Sequence, residues 1–182
     1  VKEIARYALR DTQPKYRTTA FRTVARRVMD GTEGRYPTPL NVAELAVSML
    51  DPSRGERVLD CSCGTGTFLA MTADHIFRQH LLSNGLTPEA ATNGTLRDAL
   101  AFAEEWVAEN AFGCDIDPFL AVTSRMNLLF TSGNAGSVYR LDSRTYPDGD
   151  LDGNATARSA IPLGSMDVAL LNPWFSTKDT VT

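Results

Sequence analysis

The chain has 182 residues, 43% of them hydrophobic, and a formal net charge of −4; one domain is expected at this length. No run approaches the roughly 18 apolar residues of a membrane span, and the charged N-terminus lacks the apolar core of about 7–15 residues of a signal peptide, so a soluble cytoplasmic protein is expected. Three cysteines, Cys61, Cys63 and Cys114, exclude an even disulfide framework, and Cys61-x-Cys63 is not the usual zinc spacing; they read as small side chains packed around a tight loop, with no metal expected.

In chain order, helices are expected at 2–10 and 18–29. Residues 1–30 carry eight basic side chains against three acidic ones, a balance of +5 that leaves −9 for the remainder. Phe21, Val24, Ala25 and Val28 recur at helical spacing with Arg22, Arg26 and Arg27 off that stripe. Two readings of those arginines stay open, contact with phosphates or a solvated face of a helix docked on the rest of the protein. Next comes Gly34-Arg-Tyr36-Pro-Thr38-Pro39, a rigid entry to a helix at 41–50.

A short apolar strand at 57–60 ends in Asp60 and runs into Cys61-Ser-Cys63-Gly64-Thr65-Gly66. Two glycines one residue apart between a strand and a helix let backbone pass close to a bulky ligand. A dinucleotide fingerprint wants a third glycine where Leu69 stands, and the P-loop is excluded because no Gly-Lys-Ser/Thr follows. A carboxylate at Asp60 would repel phosphate and suits a cofactor with a cationic, amino-bearing end, which S-adenosylmethionine has.

Helices follow at 67–81 and 95–109, separated by a polar loop at 83–94; Phe102 and Trp106, four apart, are core candidates. A strand at 111–115 ends in Asp115, with Ile116, Asp117 and Pro118 leading into a helix at 118–130. Asp117 ahead of proline reads as a helix cap. The next strand, 138–142, ends in Asp142, which is either a ligand residue or a turn residue. Residues 143–164 read as a long loop rich in Gly, Pro, Asn, Asp and Ser. The last strand, 166–171, ends in Asn172-Pro173-Trp174-Phe175. Asn172 offers an amide oxygen and Pro173 a backbone carbonyl, two acceptors that converge on one amino group, and Phe175 offers a face for a planar base. Strands alternating with helices make a parallel α/β sheet, whose ligands bind beyond the carboxyl ends of the strands.

These segments, in this order, resemble the amino-group DNA methyltransferases, above all the modification subunits of type I restriction-modification systems. Gly34–Pro39 is similar to the family's G-x-[FY]-x-T-P segment, Asp60–Leu69 to its D-P-x-C-G-T-G-x-F/L loop and Asn172–Phe175 to its N-P-P-F motif. Phe112–Pro118 with Arg125–Leu128, and Tyr139–Ser143, resemble the two strands between. The resemblance implies a Rossmann-like S-adenosylmethionine-dependent fold, with a helical segment at 1–33 and a methyltransferase domain at 34–182. It implies cofactor contacts from Tyr36, Thr38, Pro39, Asp60, Gly64, Thr65, Gly66, Asp115 at the ribose, Ile116 and Asp142 near the adenine. It implies catalysis by Asn172, Pro173 and Phe175 on an adenine flipped out of double-stranded DNA, and a specificity subunit or C-terminal recognition region as partner.

Two departures stand out: Trp174 replaces the second proline of the motif, and Cys61 replaces the proline of the loop. Four strands are about half of the family's seven-stranded sheet, and Val1 stands where a methionine would begin a complete chain, so a piece of a longer protein is expected. The alternatives are a non-catalytic cofactor-binding or assembly module in which Trp174 closes the pocket, or methyl transfer to a protein glutamine or to RNA.

Overall fold

A computed structural model describes residues 12–29 and 37–173, and the side chains of 12–25 and 37–173. Within these residues four strands, β1 (Val58–Asp60), β2 (Ala111–Asp115), β3 (Ser137–Arg140) and β4 (Val168–Leu170), form a parallel sheet in the order β3-β2-β1-β4. Asp60 stands opposite Gly113 on one side and Leu170 on the other. Among the described residues six helices accompany them: α1 (Pro14–Met29), α2 (Leu40–Leu50), α3 (Thr67–Ser83), α4 (Asn93–Asn110), α5 (Pro118–Ser132) and α6 (Asp152–Ala160).

Alternation along each strand sends successive side chains to opposite faces. Val58, Ala111 and Val138 join one core with Ala43, Val47, Leu69, Val107 and Leu128 from α2, α3, α4 and α5. Their neighbours Leu59, Phe112, Cys114 and Tyr139 face the other way and pack with Leu141, Ala157 and Ile161 around α6. Trp106 belongs to the first core, and Phe102 packs at its margin, stacked on His80 at 4.4 Å. Leu69 and Phe77 of α3 are fully buried, so truncating either to alanine costs about 2–5 kcal/mol.

Local chemistry sets the helix ends. Asp117 accepts from the N–H groups of Phe119 and Leu120, with Pro118 in the first turn of α5, and Gly133 closes that helix at φ +100°; this is cap, proline and glycine each where its stereochemistry belongs. Pro14 opens α1 four residues before the expected start. The carboxylate of Asp74, from α3, accepts from Lys15 N–H at 2.8 Å and from Arg78 Nε at 2.7 Å, so the first turn of α1 is capped by a residue far along the chain.

Two expectations are corrected. The stripe on α1 is only partly the buried face: Phe21 packs on the Phe130 ring at 6.2 Å, but Val24 is 67% exposed, whereas Arg17 and Thr18 are buried. The reason is that the surface beneath is polar, with Thr18 Oγ1 donating to Asn127 Oδ1 at 2.9 Å and Arg17 Nη1 donating to the Thr131 carbonyl at 3.3 Å. The stretch 143–164 is not all loop, since α6 occupies its middle. α6 lies so close to β3 that a Cβ on Gly153 would meet the Arg140 carbonyl oxygen at 2.2 Å. Arg57 fixes the entry to β4: its backbone N–H donates to Asp167 Oδ2, its guanidinium donates to the Ser165 and Ala160 carbonyls, and it lies over the Phe112 ring.

Candidate active site

The chain moves from β1 outward to β2 and β3, then returns to lay β4 on the opposite side of β1. Loops leaving β1 and β4 therefore diverge, and an open α/β sheet has its ligand crevice at such a switch point. Here that place is a cleft of about 60 Å³, and Thr38, Asp60, Gly64, Thr65 and Asn172 are in its wall. Those five sequence-expected residues are brought together. Ser62, Cys63, Thr67, Phe68 and Pro37 complete the lining; their signal was adjacency to the motifs.

The β1 side is a tightly tied loop. Asp60 Oδ1 accepts from Ser62 N–H at 3.1 Å, Gly64 N–H donates to Asp115 Oδ2 at 2.9 Å, and Asn127 Nδ2 donates to the Thr65 carbonyl at 2.8 Å. Cys63 N–H donates to the Cys114 carbonyl at 2.8 Å, and Gly66 N–H to the Cys63 carbonyl at 2.7 Å. Gly64 and Gly66 have φ of +53° and +73°, the left-handed region that only glycine enters without strain. A Cβ on Gly64 would meet open space, whereas one on Gly66 would press on Ser124 Oγ at 2.5 Å. Gly66 begins α3 with no side-chain cap, so the first-turn N–H groups of that helix lie where the loop enters it.

Asp60 is 2% exposed. Burial pushes its carboxyl up to about 7, against the lowering effect of the Ser62 N–H bond and with a further push from Asp115. A cationic group seated in the cleft would draw the proton off. The Cys63 and Cys114 thiols are also raised, Cys114 to about 12, mainly by burial, which keeps them as inert packing groups.

On the β4 side, Asn172 Nδ2 donates to Thr38 Oγ1 at 3.1 Å across 134 residues of sequence. That contact uses the amide nitrogen, and Oδ1 is the atom left as acceptor. Leu171, Asn172 and Pro173 are exposed. Pro39 opens α2 and its carbonyl accepts from Ala43 N–H.

The other expected residues that are described lie outside this wall. Asp115 touches the loop from β2 and also accepts from Asp117 N–H at 2.9 Å. Ile116 is 50% exposed beside it. Asp142 forms a turn with Arg144, accepting from its backbone N–H, its Nε and its Nη2 at 2.9–3.0 Å, and this guanidinium holds its carboxyl below the ordinary range. Tyr36, Trp174 and Phe175 lie outside the described residues, as do the side chains of Arg26 and Arg27.

Comparison with known proteins gives the arrangement its kinship. A family model described as N-6 DNA Methylase matches residues 22–181. Over 46 residues the chain is 44% identical to the type I restriction enzyme EcoEI methylase subunit of Escherichia coli, a match taking in 25% of this chain and 9% of that protein. A crystal structure described as a type I restriction enzyme modification subunit, from Vibrio vulnificus YJ016, aligns with a TM-score of 0.53 and 26% identity over 71% of this chain and 24% of that one. The chain thus spans a small part of the length of the relatives it matches. Because the family match runs from the second half of α1 through the glycine loop to the residues beyond Asn172, the chain belongs to the N-6 DNA methylase family.

Proposed function

We propose that this chain is the S-adenosylmethionine-binding and catalytic part of a DNA methyltransferase that modifies the exocyclic amino group of adenine within a restriction-modification system. The observation that carries the reading is the meeting of Thr38 and Asn172 in one cleft with Asp60. Family membership and the two type I relatives support it. Double-stranded DNA is the proposed substrate, with a specificity subunit or a recognition region as partner. Residues 1–33 are proposed as a helical segment leaning on a domain formed by 34–182. Among the described residues no helix is long and apolar enough to cross a membrane; a cytoplasmic location is proposed.

The cleft fits the cofactor's chemistry. Asp60 presents a buried carboxylate suited to an ammonium, and Gly64 leaves open space where a side chain would stand. Asp115 is proposed to contact the ribose, and Ile116 and Asp142 the adenine. S-adenosylmethionine supplies an electrophilic methyl group when bound.

The chain's own work is positioning and charge placement, with no protein nucleophile. Adenine's amino group is inaccessible inside a duplex, so the base is taken as flipped out. Thr38 holds the amide nitrogen of Asn172, which orients Oδ1 as an acceptor. Asn172 Oδ1 and the Pro173 carbonyl then accept the two hydrogens of the amino group, orienting the nitrogen and stabilising the positive charge that develops on it. Phe175 is proposed as the stacking surface, worth about 1–3 kcal/mol for a base on an aromatic ring.

The test is Asn172→Ala, assayed by transfer of labelled methyl groups to DNA alongside cofactor titration. Transfer falls by 100-fold or more while cofactor affinity changes less than about threefold. Retention of full transfer would sink the assignment. Trp174 motivates the second reading, a non-catalytic module: a gain of transfer in Trp174→Pro from an inactive parent would support it.

A further inference from the structure

The cleft as described satisfies one half of an amino acid. Among the described residues of its wall Asp60 is the charged one, and it suits the ammonium. A carboxylate on the same α-carbon would sit within a few ångströms of Asp60 and be repelled by it, unless a positive group stands on the other side.

Such a group comes from outside the sheet. Arg22, on the second half of α1, donates from Nη1 to Thr67 Oγ1 at 2.5 Å. Thr67 is in the cleft wall and is the first residue of α3, directly after Gly66. Thr67 Oγ1 is also 3.3 Å from Thr65 Oγ1. By accepting from the guanidinium, the Thr67 hydroxyl is polarised and must direct its own hydrogen elsewhere, toward Thr65 or a ligand in the cleft. A guanidinium has several donors in a planar fork and matches a carboxylate better than a lysine would.

The seat of Arg22 is prepared by buried groups. Thr18, one turn earlier on α1, bonds Asn127 at 2.9 Å, and Asn127 in turn holds the Thr65 carbonyl at 2.8 Å. Thr18 and Asn127 are both fully buried. The face of α1 carrying Arg22 and the glycine loop carrying Thr65 and Thr67 are therefore fixed to one another through Asn127.

We propose that Arg22, with the Thr67 hydroxyl to which it donates, holds the carboxylate of the cofactor's amino-acid end, so that α1 forms part of the cofactor site. The inference rests on the S-adenosylmethionine reading above. It divides the amino-acid end between two elements: Asp60 at the end of β1 takes the ammonium, and Arg22 from α1 takes the carboxylate.

The test is calorimetric titration of the protein with S-adenosylmethionine and with its decarboxylated analogue, which keeps the adenosine, the sulfonium and the amine. The unaltered protein is expected to prefer S-adenosylmethionine by about 10- to 100-fold. Arg22→Gln should weaken S-adenosylmethionine by most of that factor and leave the decarboxylated analogue within about twofold, removing the preference. Arg22→Lys, which keeps the charge, should retain an intermediate preference and serves where the glutamine variant folds poorly. Equal weakening of both ligands would show that Arg22 merely anchors α1, and an undiminished preference in both variants would show that the carboxylate is held elsewhere; either overturns the proposal. Failure of the unaltered, folded protein to take either ligand would overturn the cofactor site and this assignment with it.

Discussion

The two walls of the cleft are built to different standards. On the β1 side, Asp60, Asp115, Asn127 and the Cys114 carbonyl each hold a loop backbone group between Ser62 and Thr65. On the β4 side, Asn172 is tied by its amide to Thr38, and its neighbours Leu171 and Pro173 are exposed. A wall fixed by buried, charge-assisted bonds is preorganised for a ligand, and one fixed by a neutral contact at the surface moves at low cost. The difference suits the proposed division of labour, in which a cofactor is held rigidly and a large duplex is admitted on the other side.

The sharpest way to break the contrast is at the glycines. Gly66→Ala combines left-handed strain of about 1–2 kcal/mol with a Cβ pressed against Ser124, adding about 1–3 kcal/mol. Gly64→Ala carries the strain alone, because open space surrounds its Cβ position. Urea denaturation should therefore rank Gly66→Ala as the more destabilised. Equal losses would mean that Ser124 yields at no cost.

A second probe is pH. Asp60 is raised from 3.8 to about 7, so the folded protein binds this proton more tightly than the unfolded chain does. Its contribution to stability is full below pH 4 and is lost as pH rises toward 7. Asp60→Asn removes that dependence, and its stability relative to the parent should rise by a few kcal/mol between pH 4 and 8, while S-adenosylmethionine binding weakens at pH 8. Parallel denaturation profiles for the two proteins would contradict the buried-acid assignment.

The smallest effect is expected on the β4 side. Thr38→Val removes the partner of a single exposed amide, a contribution of about 0.5–1.5 kcal/mol, so methyl transfer should fall about 2- to 12-fold with melting temperature almost unchanged. A loss as large as that of Asn172→Ala would show this wall to be as rigid as the other.

Much of this frame is legible in the sequence, because the signals are local. The apolar runs ending in Asp60, Asp115 and Leu171 announce the strands, and Asp117-Pro118 announces the start of α5. What escaped detection depends on distant partners. The first turn of α1 is capped by Asp74 and much of its buried face is chosen by Asn127, so its apolar spacing found Phe21, which packs on Phe130, but not the inward Arg17 and Thr18. α6 hides in the polar string Asp-Gly-Asn-Ala-Thr-Ala-Arg-Ser-Ala, where Asn154 and Ala157 are the buried residues and an interior glycine argues against a helix. The meeting of Thr38 with Asn172 was legible through the family resemblance, since no local pattern relates residues 134 apart.

The distant anchoring of α1 also bears on how the chain is made. An isolated helix of 16 residues is marginal in water, and the groups that hold this one lie 59, 109 and 114 residues downstream at Asp74, Asn127 and Thr131. At a synthesis rate of about 5–20 residues per second, Thr131 is added roughly 6 to 23 s after Arg17. Through that interval a nascent chain carries the basic α1 segment without its docking surface. Seating α1 on the glycine-loop wall therefore requires closing chain segments of 109 and 114 residues, so this side of the proposed cofactor site is completed only by long-range contacts.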